Sequence, residues 1–422
     1  MSALPQHLLP DNATVGGDGR LSIASCDVLD LAGEFGTPLF VYDEAHMRER
    51  CRQARASFSG SVAYASKAFL CLAMARLVHE EGLDLDVATG GELHVARAAG
   101  VPGDRLVMHG NNKSAAEIAA AVDAGVGRIV VDSFDELDRL DALHAATGDC
   151  PRVLLRITPG VEAHTHEYVT TGVDDTKFGF TASTGLADAA IRRARESDSV
   201  ELVGLHAHIG SQVFELRSFQ QAVEVIAGFA LPYDLPELSL GGGLGVAYVE
   251  GESAPTIAEW AAAITEACQS VGFTAPVSME PGRALVAAAA VTLYEVGTIK
   301  ELSGIRTYVS VDGGMSDNPR PVLYGSGYET FLPRAVDRDR DKTVRVVGKH
   351  CESGDLLVRD GRVPSDLTVG DILATPVTGA YGHSMGSNYN KVPRPAVVFA
   401  RDGDARLVVR RESYEDLLLN DV

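Results

Sequence analysis

Between residues 62 and 283, short apolar runs rich in β-branched residues alternate with amphipathic stretches of helical period. The runs Val62–Ser66, Leu83–Ala88, Arg105–His109, Arg128–Asp132, Arg152–Thr158, Glu201–Ile209, Glu237–Leu240 and Val277–Glu280 read as strands. Between them Leu70–Glu81, Glu92–Ala99, Ser114–Ala124, Phe134–Ala146, Gly185–Glu196, Ser218–Ala230 and Ile257–Val271 read as helices. Gly82, Gly100, Gly125, Gly148 and Gly272 stand where helices end on a left-handed residue. Ser114, Ser133 and Ser218 suit N-caps, with Glu117 and Glu136 as capping-box partners of the first two. Eight strands alternating with helices over about 220 residues suit a parallel (β/α)8 TIM-type barrel. An open doubly wound sheet shows the same alternation, and the count of eight favours the barrel.

After Ala290 the texture changes to strands separated by turns: Val291–Lys300, Arg306–Val311, Thr343–Lys349, Asp355–Arg359, Asp371–Val377, Ala396–Ala400 and Arg406–Arg410. Asp360-Gly361 and Asp402-Gly403 read as turn dipeptides. A helical pattern returns only at Tyr414–Leu419, so this is a mostly antiparallel β domain. Pro38–Tyr42 is strand-like and precedes the barrel, so it is a candidate to join that sheet. The expected organisation is an N-terminal segment and strand at 1–45 belonging to the β domain, a barrel at 46–285 and the C-terminal β domain at 286–422. The charged stretch Arg334–Lys342 reads as a solvated loop.

The 422 residues are 45% hydrophobic and 23% charged, which excludes wholesale disorder. A formal charge of −21 argues against sequence-independent nucleic-acid binding, which needs a cationic face. No charged leader precedes an apolar run near Met1, and the longest apolar stretch, Ala284–Leu293, is far short of the ~20 residues a membrane helix needs. Six cysteines show neither a CxxC pair nor zinc spacing. The expectation is a cytoplasmic protein with no membrane association.

In a barrel, chemistry gathers at the C-terminal ends of the strands. Here those ends read Tyr64-Ala65-Ser66-Lys67, His206-Ala207-His208 running into Ile209-Gly210-Ser211-Gln212, Gly241-Gly242-Gly243-Leu244-Gly245, and Glu280-Pro281-Gly282-Arg283. Glycines after the seventh strand make a tight turn or bring backbone N–H groups around an anion; Arg283 beside them favours the anion. Lys67 is either a solvated lysine or an amine placed to react. A lysine forming an imine with a phosphate-bearing aldehyde such as pyridoxal phosphate accounts for Lys67 and the glycine loop together. Glu280 is then a candidate partner for the ring nitrogen. His206 and His208 point to one side of their strand. They are core side chains, a surface for a flat cofactor, or metal ligands, though no third and fourth ligand can be assigned and no metal is expected. Cys351, in the polar run Glu352-Ser353-Gly354-Asp355, is an inert thiol or an acid or nucleophile. No GxSxG elbow or Walker loop is present.

YASKAF, HAHIGSQ, GGGLG, EPGR, PRPVLYG and CESGD occur here in the order found in the pyridoxal-phosphate decarboxylases of the alanine-racemase-like fold, which the chain resembles from about Thr37 to Asn420. VEAHTHEYVTTGVDDTKFGF (161–180) and HGNNKS (109–114) resemble the diaminopimelate decarboxylases more than their ornithine or arginine relatives. The resemblance implies that Lys67 bonds covalently to pyridoxal 5'-phosphate and that His208 lies on its ring. It implies that Ser211, Gly242, Gly243 and the backbone around Gly282 and Arg283 hold the phosphate, and that Glu280 pairs with the pyridinium nitrogen. Arg283, Arg320 and Tyr324 would take substrate carboxylate and Glu352 a substrate ammonium. Cys351 would deliver a proton, and Tyr381 would touch cofactor and substrate. The family works as a head-to-tail homodimer with active sites at the subunit interface, where the partner supplies the Cys351–Glu352 loop.

The implied reaction is decarboxylation of meso-2,6-diaminopimelate to L-lysine, the last step of lysine biosynthesis. Two arginines and a glutamate suit a substrate whose far end carries both a carboxylate and an ammonium, whereas ornithine would leave a buried arginine unpaired. The alternative is a decarboxylase of the same fold acting on arginine, ornithine or a carboxylated polyamine. Phe69, Ala284 and His350 depart from the family pattern at positions that bear on side contacts.

Overall fold

A computed structural model describes residues 3–161 and 171–422. Of the motif at 161–180, residues 162–170 lie outside the described residues. The chain divides into two compact units: Cys51–Gly245 with Ala254–Ala284, and Met1–Arg50 with Val246–Ser253 and Leu285–Val422.

The first strand of the β unit, β1 (Leu39–Asp43), precedes the barrel in the chain. The barrel strands are β2 (Ala63–Ala65), β3 (Asp84–Val87), β4 (Leu106–Met108), β5 (Arg128–Val131), β6 (Arg152–Thr158), β7 (Glu201–His206), β8 (Glu237–Ser239) and β9 (Val277–Ser278). They are joined in parallel in chain order. A parallel bridge between Val62 and Met279 closes the ring, with Ala63 N–H donating to the Met279 carbonyl at 2.9 Å and Met279 N–H to that of Ser61 at 3.1 Å. An open sheet is thereby excluded. β2, β4, β5 and β6 are largely buried on both faces, which is why the sequence shows near-continuous apolar runs there rather than alternation. Ala63, Val107, Val130, Leu154 and Val203 form one of its buried clusters.

The helices between these strands begin and end where local chemistry dictates. Ser114 accepts from Glu117 N–H while Glu117 answers to the Ser114 N–H, completing a capping box. Ser133 accepts from Glu136 N–H, but the Glu136 carboxylate turns instead to Asp132 N–H at 3.0 Å and Lys113 Nζ at 2.7 Å. A buried lysine claims that acid more strongly than an N-terminal amide. Ser218 caps nothing: its helix, Leu216–Ala230, starts earlier and buries Ser218 in its first turn.

In the second unit, β10 (Ala290–Leu302) is followed by β11 (Arg306–Val311), β12 (Lys342–Val347), β13 (Leu356–Val363), β14 (Ile372–Pro376), β15 (Ala396–Arg401) and β16 (Asp404–Val409), and β1 lies between β10 and β15. β1 runs antiparallel to β10 and parallel to β15, so the N-terminal strand is central to this sheet. The pairs β10–β11, β10–β14, β12–β13 and β15–β16 are antiparallel and β11–β12 is parallel. Asp402 and Gly403 both take positive φ, 52° and 82°, and turn β15 into β16. Asp360-Gly361, by contrast, lies inside β13, where Gly361 pairs with Val344 and a Cβ would stand 2.6 Å from Thr330 Cγ2. That glycine makes room for a neighbour and not for a turn. The stretch read as a solvated charged loop also hides a core residue, since Arg340 is buried. Among the described residues no helix is long and apolar enough to cross a membrane.

Candidate active site

The barrel unit gathers one set of the expected residues at the C-terminal ends of its strands. Beyond β2 the backbone tightens into a single 3-10 turn, Ser66–Ala68, which leaves Lys67 exposed between buried Ser66 and Ala68. Its charge acts on Asp86, Glu92, His109 and His208, so the amine stands among the ends of several strands.

Glu280, just beyond β9, is buried and fully engaged. Ser239 Oγ donates to its Oε1 at 2.9 Å, His109 Nε2 lies 3.2 Å from Oε1 and His206 Nε2 lies 3.1 Å from Oε2. Burial pushes its carboxyl up, but the two imidazoles outweigh burial and hold it well below the usual carboxylate range. For His109, burial favours the neutral ring, yet Asp86 at 3.8 Å and Glu280 raise its pKa above the ordinary value. His206 goes the other way, pushed down to about 4 chiefly by burial, and donates Nε2–H as a neutral ring. The result is a Glu280 carboxylate held in its ionised form by two imidazoles, of which His109 is the more easily protonated. His109, His206 and Glu280 lie close enough to hold a metal ion, but the charge state just described already accounts for their approach.

His208 is half-exposed, and its Nδ1 accepts from Gly242 N–H at 3.3 Å, which puts its proton on Nε2. Burial first, then the charge of Lys67, drives its pKa well below the ordinary imidazole value, so it is neutral. The glycine loop is dictated by close approach. A Cβ on Gly242 would stand 2.2 Å from the Glu280 carbonyl oxygen, and one on Gly243 (φ 116°) 2.3 Å from that of Gly210. Gly282 faces Ala65 and Ala68, and the neighbouring Arg283 Nη2 donates to Ser211 Oγ at 2.8 Å. Lys67, His208, Ser211, Gly242, Gly243, Glu280, Gly282 and Arg283 therefore belong to one end of one barrel.

The β unit holds the others. Arg320 opens the short helix Arg320–Tyr324 and is 4% exposed, with its guanidinium 4.2 Å from the Tyr248 ring centre and Nη1 donating to Tyr328 Oη. Tyr324 at the other end of that helix is half-buried. Tyr381 carries a positive φ of 59°, a strained backbone for a tyrosine and one that segregates to functional positions. Cys351 and Glu352 are exposed on the loop between β12 and β13. That loop is anchored by Asp355, whose carboxylate takes the N–H groups of Met315 at 2.7 Å and His350 at 2.9 Å. His350, one of the departures from the family pattern, places Nε2 2.8 Å from Ser316 Oγ.

Close by, Asp317 accepts from Gly314 N–H, yet burial together with Asp312 and Asp355 raises its pKa to about 7. A carboxyl whose folded-state pKa is raised costs stability as pH climbs above its unfolded value, 3.8, and the cost is complete above about 7. Asp317→Asn is therefore expected to stabilise the protein at pH 8 by up to about 4 kcal/mol and by clearly less at pH 5. Urea unfolding at the two pH values checks this; equal effects at both would show that Asp317 does not titrate in that interval.

Residue reading overlooked His109, Tyr248 and Tyr328. His109 follows β4 directly, at a strand end like those that singled out Lys67, so the signal was present. The tyrosines have no such signal, being distant in sequence from Arg320 and from each other.

The site residues fit a pyridoxal phosphate group: an exposed amine at the barrel mouth, a glycine loop pressed against the strand ends and a buried carboxylate held by His109 and His206. A family model described as pyridoxal-dependent decarboxylase, pyridoxal binding domain, matches residues 44–287. The diaminopimelate decarboxylase of Mycobacterium tuberculosis is 47% identical over 436 residues, covering 98% of each chain. That of Bacillus subtilis is 47% identical over 420 residues, covering 96% of this chain and 95% of the relative. The crystal structure of diaminopimelate decarboxylase from M. jannaschii in complex with L-lysine superposes with a TM-score of 0.91 at 33% identity over 98% of both chains.

Proposed function

Since the chain belongs to the diaminopimelate decarboxylase family of pyridoxal-dependent decarboxylases, we propose that it converts meso-2,6-diaminopimelate to L-lysine and carbon dioxide with the residues described above. The observation that carries this reading is the ionised Glu280 at the mouth of the same barrel that presents Lys67. Pyridoxal phosphate, when bound, supplies the electron sink that lets carbon dioxide leave without its bonding electrons. Lys67 is the amine that holds its aldehyde carbon, and Glu280 is the anion that keeps its ring nitrogen protonated. Neutral His208 offers a flat face at the strand ends, and Gly242, Gly243, Gly282 and Ser211 offer donors to its phosphate. Arg283 lies at the same end of the barrel, where it serves phosphate or substrate carboxylate.

The substrate groups follow from charge. Arg320 is a buried guanidinium suited to the carboxylate that stays on the product, helped by Tyr324; Glu352 takes the neighbouring ammonium. Cys351 delivers a proton to the carbon that has lost carbon dioxide, and Tyr381 orients both partners. Cys351 and Glu352 are exposed in the single chain, which supports their use in a homodimer whose partner receives them. The reading includes a cytoplasmic location, in keeping with an acidic chain whose cysteines show no disulfide or zinc spacing.

The test is carbon dioxide release from meso-diaminopimelate by the purified protein with pyridoxal phosphate, beside ornithine, arginine and lysine. Release from diaminopimelate alone is expected. Release from ornithine or arginine instead would keep the cofactor chemistry and overturn the assignment of Arg320.

A further inference from the structure

Two arginines are buried in the β unit and are treated in opposite ways. Arg340, 2% exposed, donates from Nη1 to Glu329 at 2.8 Å and from Nη2 to Glu250 at 3.0 Å. Arg320 has no carboxylate within ion-pair distance among the described residues. Its guanidinium lies 4.2 Å from the ring centre of Tyr248 and 5.4 Å from that of Tyr328, which also accepts from Nη1, while Nε has no hydrogen-bond partner.

The contrast is built from the same two segments. Tyr248 and Glu250 come from one, Tyr328 and Glu329 from the other, and Glu250 N–H donates to Glu329 at 3.1 Å across them. The two tyrosine rings meet edge to face with centres 5.2 Å apart. The acids serve Arg340 and the rings serve Arg320. A buried guanidinium without an anion is costly. Aromatic faces reduce that cost through their quadrupole without cancelling the charge. An acid at either ring position would occupy the fork and remove its affinity for any further carboxylate.

We propose that Tyr248 and Tyr328 are specificity-determining positioning residues that keep Arg320 oriented and unneutralised for the carboxylate retained on the product, with the Arg340–Glu250–Glu329 clamp holding the two rings in register. The inference rests on the decarboxylase reading and adds to it the residues that select a substrate bearing a second carboxylate.

The experiment compares L-lysine with 1,5-diaminopentane as competitors of meso-diaminopimelate in the holoenzyme. The two differ only by the carboxylate that Arg320 would hold. In Tyr248→Leu, inhibition by L-lysine is expected to weaken about tenfold and the KM for diaminopimelate to rise by a similar factor, with diaminopentane and kcat held within about twofold. Tyr248→Phe keeps the ring and is expected to restore the preference; Tyr328→Phe, which loses only the hydroxyl acceptor, is expected to fall between. A merely structural role would weaken both inhibitors and lower kcat together. Should Tyr248→Leu fail to fold, Tyr328→Leu carries the same expectation. An unchanged ratio of lysine to diaminopentane in a folded Leu variant overturns the proposal. If the wild-type protein releases no carbon dioxide from diaminopimelate, the decarboxylase reading falls, and calorimetric binding of the two competitors still decides whether the tyrosines set the preference.

Discussion

Lys67→Ala is expected to lower kcat/KM for carbon dioxide release by about 10⁴-fold or more, the scale of loss when a group that bonds covalently during a reaction is deleted. The fold should survive, because Lys67 projects outward from a one-turn segment whose packing residues, Ser66, Ala68 and Phe69, remain buried. Removing its charge lifts one of the causes that lower the His208 pKa, but burial, the larger cause, remains and keeps that ring on the neutral side. The check pairs the assay with the absorbance of bound cofactor: the variant should lose the band of the lysine-bound form while its thermal unfolding stays near wild type. Activity above a tenth of wild type would show that another amine does this work.

Glu280→Gln carries the second large expectation. The substitution keeps the shape and a hydrogen-bonding end but removes the anion that His109 and His206 approach at 3.2 and 3.1 Å. Two effects follow. The raised pKa of His109 loses one of its two supporting carboxylates, and weakening this buried hydrogen-bond network costs about 1–3 kcal/mol. The proposed partner of the ring nitrogen is also lost, so kcat should fall about 10²–10³-fold, the scale seen when one electrostatic stabiliser is removed from an active site. Steady-state kinetics alongside denaturant unfolding separates the two. A variant with near-normal kcat would mean that Glu280 is a structural anion only.

Much of this was legible in residues because the barrel repeats one rule. Strands buried on both faces appear as unbroken apolar runs, helices stop at glycine, and chemistry collects where a run ends, which is how Lys67, His208 and Glu280 stood out. The misses have physical causes. Asp360-Gly361 has the composition of a turn, but only the neighbouring Thr330 reveals that the glycine is there for clearance inside a strand. Glu136 sits at capping-box spacing, and nothing local says that Lys113, from another helix's approach, will claim it. Arg340 lies in a run of charges, and its burial depends on two acids supplied from elsewhere in the chain. The cage around Arg320 fails to show for the same reason: local spacing reports periodicity, while tertiary contacts between distant segments leave no period to read.

The closure of the barrel has a thermodynamic consequence. Ala63 and Ala65 donate to the carbonyls of Met279 and Pro281, so the junction between first and last strands ends two residues before Lys67 on one side and flanks Glu280 on the other. A single small molecule held by both residues, as proposed above, would rivet the ring where its two ends meet. By mass action, such a rivet present at a hundred times its dissociation constant adds about 2.7 kcal/mol to the closed state. Cofactor supply would then set how much of this protein is folded at equilibrium, as well as whether it can turn over.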